Sequence, residues 1–247
     1  MSHASHLADL PTPALILDTQ RLDRNLDRLA RRMDGFGITL RPHMKTAKSI
    51  DVARRAFRNG PGPITVSTLA EADYFAAHGF VDMTYAVGIA PHTAARAARL
   101  RRDGVDIKVL LDTVAQAQIL GEAGRAAGVS PSAFIEIDCD GHRGGLRVDD
   151  PKLLDVASAM KVAGVTLAGV LTHAGESYAL DTPQALEAAA ENERAVAVDA
   201  ATRLRAAGHD CPIVSVGSTP TAHFAQALDG VTEMRAGVYM FFDLVMH

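Results

Sequence analysis

The run Arg41-Pro42-His43-Met44-Lys45-Thr46-Ala47-Lys48 stands at the end of a short apolar segment, Ile38-Thr39-Leu40. Pro42 has no N–H for a strand ladder and biases Arg41 away from helix, so a strand ends here. The next segment, Ser49 to Phe57, has helical patterning, which places Lys45 on a strand-to-helix turn. Arg41 and Lys48 disfavour protonation of a nearby amine, and partial burial lowers its pKa further. A lysine that loses its proton near neutral pH is what Schiff-base chemistry requires. A solvated loop lysine is the plainer reading of the same residues.

The fold follows from the repetition of this strand–turn–helix unit. Strand candidates are Ile38–Leu40, Ile64–Val66, Met83–Ala86, Ile107–Leu111, Ala133–Ile137, Leu167–Leu171, Ile213–Val216 and Val231–Met234, each preceded by a glycine suited to ending a helix. Helix starts are marked by Thr68-Leu-Ala-Glu71 and Thr113-Val-Ala-Gln116, and by Thr182-Pro183 and Thr219-Pro220. Thr19 is placed to cap a first helix carrying Leu22, Leu26, Leu29 and Met33. Uniformly apolar strands alternating with helices argue a parallel sheet covered by helices, and eight units predict an α/β fold of the closed (β/α)₈, or TIM, barrel type. Leu15-Ile16-Leu17 is a surplus strand outside the barrel, and Val238–Phe242 is another β-like run near the C-terminus.

The 247 residues are 48% hydrophobic with net charge −4, which suits a globular chain with a sizeable core and leaves no basic footprint for nucleic acid or an anionic membrane. No apolar run approaches the ~20 residues of a membrane span. The N-terminus lacks the basic-then-apolar pattern of a signal peptide. Two cysteines, Cys139 and Cys211, read as buried thiols of a reducing, cytoplasmic compartment. No CxxC, HxxxH or HExxH spacing occurs, so the chain shows no metal site of its own. His3 and His6 lie on a terminus expected to fray.

In such a barrel the active site forms at the C-terminal strand ends. Those ends carry His43 and Lys45, Ser67-Thr68, Tyr85, Glu136 to Gly145, His173 to Tyr178, Gly217-Ser218-Thr219, and Arg235-Ala-Gly237. Gly217-Ser218-Thr219 offers two hydroxyls and opens onto a helix capped at Thr219, the makings of an anion site. An ordinary helix cap fits the same residues. Arg143 is either an anion- or ring-contacting group or part of a solvated turn. His173, beside Gly175 and Tyr178, suits ligand stacking or proton transfer. Asp138 and Asp140 read equally as an acid/base pair or as hydrogen-bonding groups. A Schiff-base lysine and a phosphate site on one barrel mouth suggest pyridoxal 5'-phosphate (PLP).

Leu10-Pro-Thr-Pro-Ala14, Arg41–Lys48, Glu136–Gly145, Leu171–Tyr178, Gly217–Thr219 and Arg235–Asp243 together resemble the fold-type III PLP enzymes, in the D-threonine aldolase / D-serine dehydratase-like branch with its alanine-racemase-type N-terminal domain. The resemblance implies that Lys45 forms the internal aldimine and acts as a base, with His173 near the ring. It further implies that Arg143 contacts the ring 3-hydroxyl, that Gly217, Ser218, Thr219, Gly237 and Tyr239 hold the phosphate, that Tyr178 lines the site, and that Arg235 lies near the pyridine nitrogen. The implied substrates are D- or 3-hydroxy amino acids, undergoing retro-aldol cleavage or β-elimination. Racemisation is the alternative within the enzymes, a non-catalytic PLP carrier is another, and a phosphate-binding barrel without PLP is the last. The branch carries a C-terminal β domain with a divalent-metal pair and works as a homodimer. The expected organisation is therefore an N-terminal strand over 1–18, the PLP-binding barrel over 19–237, and at 238–247 the start of a C-terminal β domain missing from this chain. The family run usually reads KTHK, where this chain has Ala47.

Overall fold

In the computed structural model, which describes residues 6–57 and 59–244, eight parallel strands form one sheet in the order β1-β8-β7-β6-β5-β4-β3-β2. They are β1 (Thr39–Leu40), β2 (Ile64–Val66), β3 (Asp82–Gly88), β4 (Asp106–Leu111), β5 (Ser132–Ile137), β6 (Thr166–Thr172), β7 (Ile213–Val216) and β8 (Glu233–Met234). The helices are α1 (Thr19–Phe36), α2 (Ile50–Ala56), α3 (Leu69–Ala76), α4 (Pro91–Arg102), α5 (Val114–Ala127), α6 (Lys152–Ala163), α7 (Pro183–Ala206) and α8 (Thr219–Phe224).

The octamer after β1 closes the barrel. His43 bridges Thr65 in parallel register, Thr65 N–H donates to the Pro42 carbonyl at 2.9 Å, and Met44 N–H donates to the Thr65 carbonyl at 2.8 Å. On its other side, Arg41 and His43 N–H groups donate to the carbonyls of Met234 and Ala236. The seam between the two edge strands, β1 and β2, thus runs through the same residues that deliver Lys45.

Val109, Leu111, Ile135 and Ile137 face the large core under the helices, whereas Leu110, Phe134, Ala168 and Leu171 form a separate cluster inside the barrel. Several interior positions near β1 and β8 are charged. Arg41, 4% exposed, donates to Glu233 at 2.8 Å and to Asp82 at 2.8 Å, and Lys108 bonds Asp82 and Asp106 in turn.

Helix caps follow the sequence with two corrections. Thr68, Thr113 and Thr182 cap α3, α5 and α7 as expected. Asp18, not Thr19, caps α1, its carboxylate accepting from Arg21 N–H. Ser218, not Thr219, caps α8, because the proline at the second helical position leaves Ser218 as the residue whose hydroxyl reaches the Thr221 N–H.

Both surplus strand expectations are overturned. Leu15–Leu17 joins no ladder, and its side chains are exposed beside a cleft shared with Thr46, Met240 and Phe241. Val238–Met240 forms a 3₁₀ turn whose Tyr239 and Met240 are buried. Apolar character reported burial at one end and exposure at the other, but neither run has strand neighbours to pair with. The outer ends of the regions 1–18 and 238–247, with His3, lie outside the described residues.

Candidate active site

Lys45 emerges from the turn between the barrel seam and α2. Met44, fully buried, pins the turn, and the loop after β8 passes directly behind it. A Cβ on Gly237 would lie 2.9 Å from both the His43 carbonyl and Thr46 Oγ1, so this approach requires glycine. The Lys45 pKa lies below the ordinary value, through desolvation first and then the positive charges of Arg143 and Arg235. The cationic neighbours are therefore not those adjacent in sequence. Arg41 points into the barrel against Glu233 and Asp82, and Lys48 reaches Glu71 at 3.7 Å.

His173 follows β6. Its Nδ1 lies 2.5 Å from the Gly217 carbonyl. A carbonyl only accepts, so Nδ1 carries the proton and Nε2 keeps a lone pair. Burial, assisted by Arg235, Arg143 and Lys45, lowers its pKa to about 4. The Tyr178 ring stacks beside it at 6.0 Å, and the Tyr178 hydroxyl accepts from Thr219 N–H at 3.4 Å. His43 is also held neutral, its pKa well below the usual value through burial and then Lys45, Arg235 and His173.

Ser218 and Thr219 are almost completely buried, with hydroxyls directed into the protein. Ser218 Oγ meets Ser177 Oγ at 2.8 Å and Thr221 Oγ1 at 2.9 Å, and Thr219 Oγ1 accepts from Tyr239 N–H. Both hydroxyls thus build the loop, with Ser218 as the helix cap. Tyr239 contributes a hydroxyl buried without a hydrogen-bond partner. Arg235 is buried against Ser215 Oγ and the Thr172 carbonyl, both at 2.6 Å, and desolvation lowers its pKa to about 10, which leaves it charged.

Arg143 rides on a loop that folds back so that Ile137 and Leu146 bridge. Asp138 and Asp140 build this loop rather than forming an acid/base pair. Asp138 accepts from the N–H groups of Asp140 and Gly141, and Asp140 accepts from those of His142 and Glu176. The loop packs on Gly175, where a Cβ would meet Arg143 Nε at 2.9 Å. Lys45, Arg143, His173, Tyr178, Gly217 and Arg235 therefore converge on one mouth.

Glu193 was missed in sequence, whereas Glu136 was among the strand-end residues named there. Glu193, on α7, is fully buried and accepts three hydrogen bonds from the loops after β6 and β7. Its only signal was a charge within an alanine-rich helix, which reads as solvent-facing. Glu136, on the last turn of β5, has its pKa raised by burial and by Asp112 against the opposing pull of Arg235 and Arg143. Among the described residues, no three His, Cys, Asp or Glu side chains cluster as a metal site would require, and no helix is long and apolar enough to cross a membrane.

A parallel (β/α)₈ barrel whose mouth gathers a perturbed amine, two arginines and two neutral histidines defines a class of barrel with its site at the C-terminal strand ends. The chain belongs to the family of the alanine racemase N-terminal domain, whose model matches residues 17–245, and so to the fold-type III PLP enzymes. It is similar to D-threo-3-hydroxyaspartate dehydratase from Delftia sp. HT23, with 55% identity and a TM-score of 0.93 to the solved structure, covering 96% of this chain and 63% of that one. D-serine dehydratase of Dictyostelium discoideum is 29% identical over 97% of this chain and 65% of its own length. The solved D-threonine aldolase from Filomicrobium marinum is 27% identical with a TM-score of 0.89, over 97% of this chain and 64% of that one. The chain thus spans a little under two thirds of the length of these relatives.

Proposed function

We propose that this chain supplies the cofactor-binding barrel of a PLP-dependent lyase acting on D- or 3-hydroxy amino acids by β-elimination or retro-aldol cleavage. A 3-hydroxyaspartate is the first substrate to test, since the Delftia relative is a D-threo-3-hydroxyaspartate dehydratase. The observation that carries the reading is Lys45: a lysine exposed at the barrel mouth beside Arg143 and Arg235, whose amine titrates below its ordinary value through partial desolvation and then those two charges.

The residues present fit the group. Tyr239 holds a buried hydroxyl without a partner, a group that a bound phosphate could satisfy. When bound, PLP supplies an electron sink for the charge left on Cα as a bond there breaks. Lys45 presents the amine that holds it and moves the proton at Cα. His173, proton on Nδ1, offers Nε2 to the mouth as a neutral acceptor. Arg143 would contact the ring hydroxyl, Arg235 would lie near the ring nitrogen, and the segment Gly217–Thr219 with Gly237 and Tyr239 would hold the phosphate. Tyr178 buttresses His173. Under the same proposal the protein works as a homodimer, with any divalent metal held outside the described residues, which contain no cluster to ligate one. One mutant of the Delftia enzyme was solved in the metal-free form.

Borohydride reduction with PLP present, followed by peptide mapping, tests this. The expected result is a pyridoxyl adduct on Lys45 that is absent from Lys45→Ala; an unmodified Lys45 sinks the reading.

A further inference from the structure

Glu193 touches three segments of the mouth from behind: the loop after β6, the loop after β7 and the first turn of α8. Its Oε1 accepts from Ala174 N–H at 2.8 Å and from Gly217 N–H at 3.1 Å, and its Oε2 accepts from Thr221 Oγ1 at 2.7 Å. Ala174 is the residue after His173, and Gly217 is the residue whose carbonyl takes the His173 Nδ1 proton. Both anchors of His173 therefore hang on one carboxylate oxygen.

The second oxygen sets a direction of hydroxyls. A carboxylate only accepts, so the Thr221 hydroxyl proton is committed to Glu193. Ser177 Oγ donates to the Ala174 carbonyl, so its proton is committed too. The Ser218 hydroxyl proton is then the one left to serve the contacts of Ser218 with Ser177 and Thr221. The loop that opens α8 is ordered from Glu193 outward.

We propose that Glu193 is a positioning residue of the mouth, which fixes the ring plane and tautomer of His173 through Gly217 and Ala174 and orders the Gly217–Thr219 segment through Thr221. Its consequence for the cofactor rests on the function proposed above; the histidine arm does not.

Substitutions separate the two arms. Glu193→Gln keeps an oxygen for the two backbone N–H groups, but its amide must donate to Thr221 and so reverses that hydroxyl. Glu193→Asp is one methylene short and cannot span both loops. Nitrogen-15 NMR of labelled histidine in the cofactor-free chain, with His173 assigned by His173→Gln, reads the tautomer directly. A single Nδ1–H form is expected in wild type and Glu193→Gln, and an averaged signal in Glu193→Asp and in Glu193→Ala if that variant folds. PLP affinity, followed by absorbance, is expected to fall about tenfold in Glu193→Asp. A folded Glu193→Asp with the wild-type His173 signal overturns the proposal, because a merely structural anchor would lower stability without moving that signal. A wild-type chain that takes up no PLP would instead count against the proposed function, with the histidine result still decisive for Glu193.

Discussion

Lys45 illustrates how a side chain is tuned by neighbours that sequence proximity does not identify. Arg143 and Arg235, from the loop after β5 and from β8, bear on its amine more than Arg41 or Lys48. Replacing Arg143 by methionine removes one cation without disturbing the barrel interior, since Arg143 is exposed. The Lys45 pKa should then rise towards its ordinary value. Reductive methylation of Lys45 near pH 8 should slow, and the difference from wild type should shrink with added salt. Equal rates at low salt would show that desolvation alone sets the amine. Glu233 is a second residue of this kind. It accepts from Arg41 and from Ser215, which in turn takes a bond from Arg235, so one buried carboxylate stands between two buried guanidinium groups. Glu233→Ala leaves Arg41 with Asp82 as its remaining carboxylate and removes the carboxylate behind Ser215 and Arg235. The loss in a denaturant titration should therefore fall short of a buried pair broken outright, at about 1.5–3 kcal/mol. A change below about 1 kcal/mol would mean that water replaces the carboxylate.

At the scale of elements, the alternation of strand and helix was legible because each local signal agreed with the next. Ile64–Val66 and Ile213–Val216 were bounded to the residue, and the other six strands shift by one or two residues at one end or both. What failed were the two apolar runs without neighbours, Leu15–Leu17 and Val238–Phe242. A strand exists only with a ladder partner, and pairing is a property of topology rather than of a pentapeptide. The mouth residues were legible since barrel geometry names the strand ends, but Glu193 was not, because its partners lie on two loops distant in sequence. Backbone proximity can be tested in the same way. Gly217 has φ +147°, and a Cβ there would sit 2.6 Å from Arg235 N, where no side chain can yield. Gly128, the cap of α5, also has positive φ but has open space around it. Gly217→Ala should therefore cost roughly 2–4 kcal/mol from strain and overpacking, against about 1 kcal/mol for Gly128→Ala. Chemical denaturation of the two variants decides this, and equal losses would mean that the β7–β8 approach is looser than its geometry.

At the scale of the whole molecule, the barrel keeps three histidines uncharged. Burial is the first cause for each, lowering His173 and His223 to about 4 and His43 well below the ordinary value. The signs follow from linkage. A histidine whose folded pKa is depressed stabilises the fold fully above its unfolded pKa of about 6.5, and that contribution is lost as pH falls towards the folded pKa. Within this window the unfolded chain binds more protons than the native one, at about 1.4 kcal/mol per pH unit for each fully differing histidine. Glu136 and Glu193 act in the opposite sense, since burial raises their folded pKa and acid relieves it. Asp82 and Asp106, depressed by Arg41 and Lys108 against the desolvation of the site, favour the fold until well below the histidine window. With three histidines against two glutamates, stability should fall from pH 7.5 to pH 5.5. Removing one histidine should flatten the slope. His223→Gln is the variant of choice, because His223 lies away from the mouth, against Phe242 and near Arg28 and Arg32. Urea midpoints across that range should show a steeper decline in wild type than in His223→Gln. Parallel curves would mean that His223 titrates alike in the folded and unfolded chain, and that the acid sensitivity of the barrel belongs to the mouth alone.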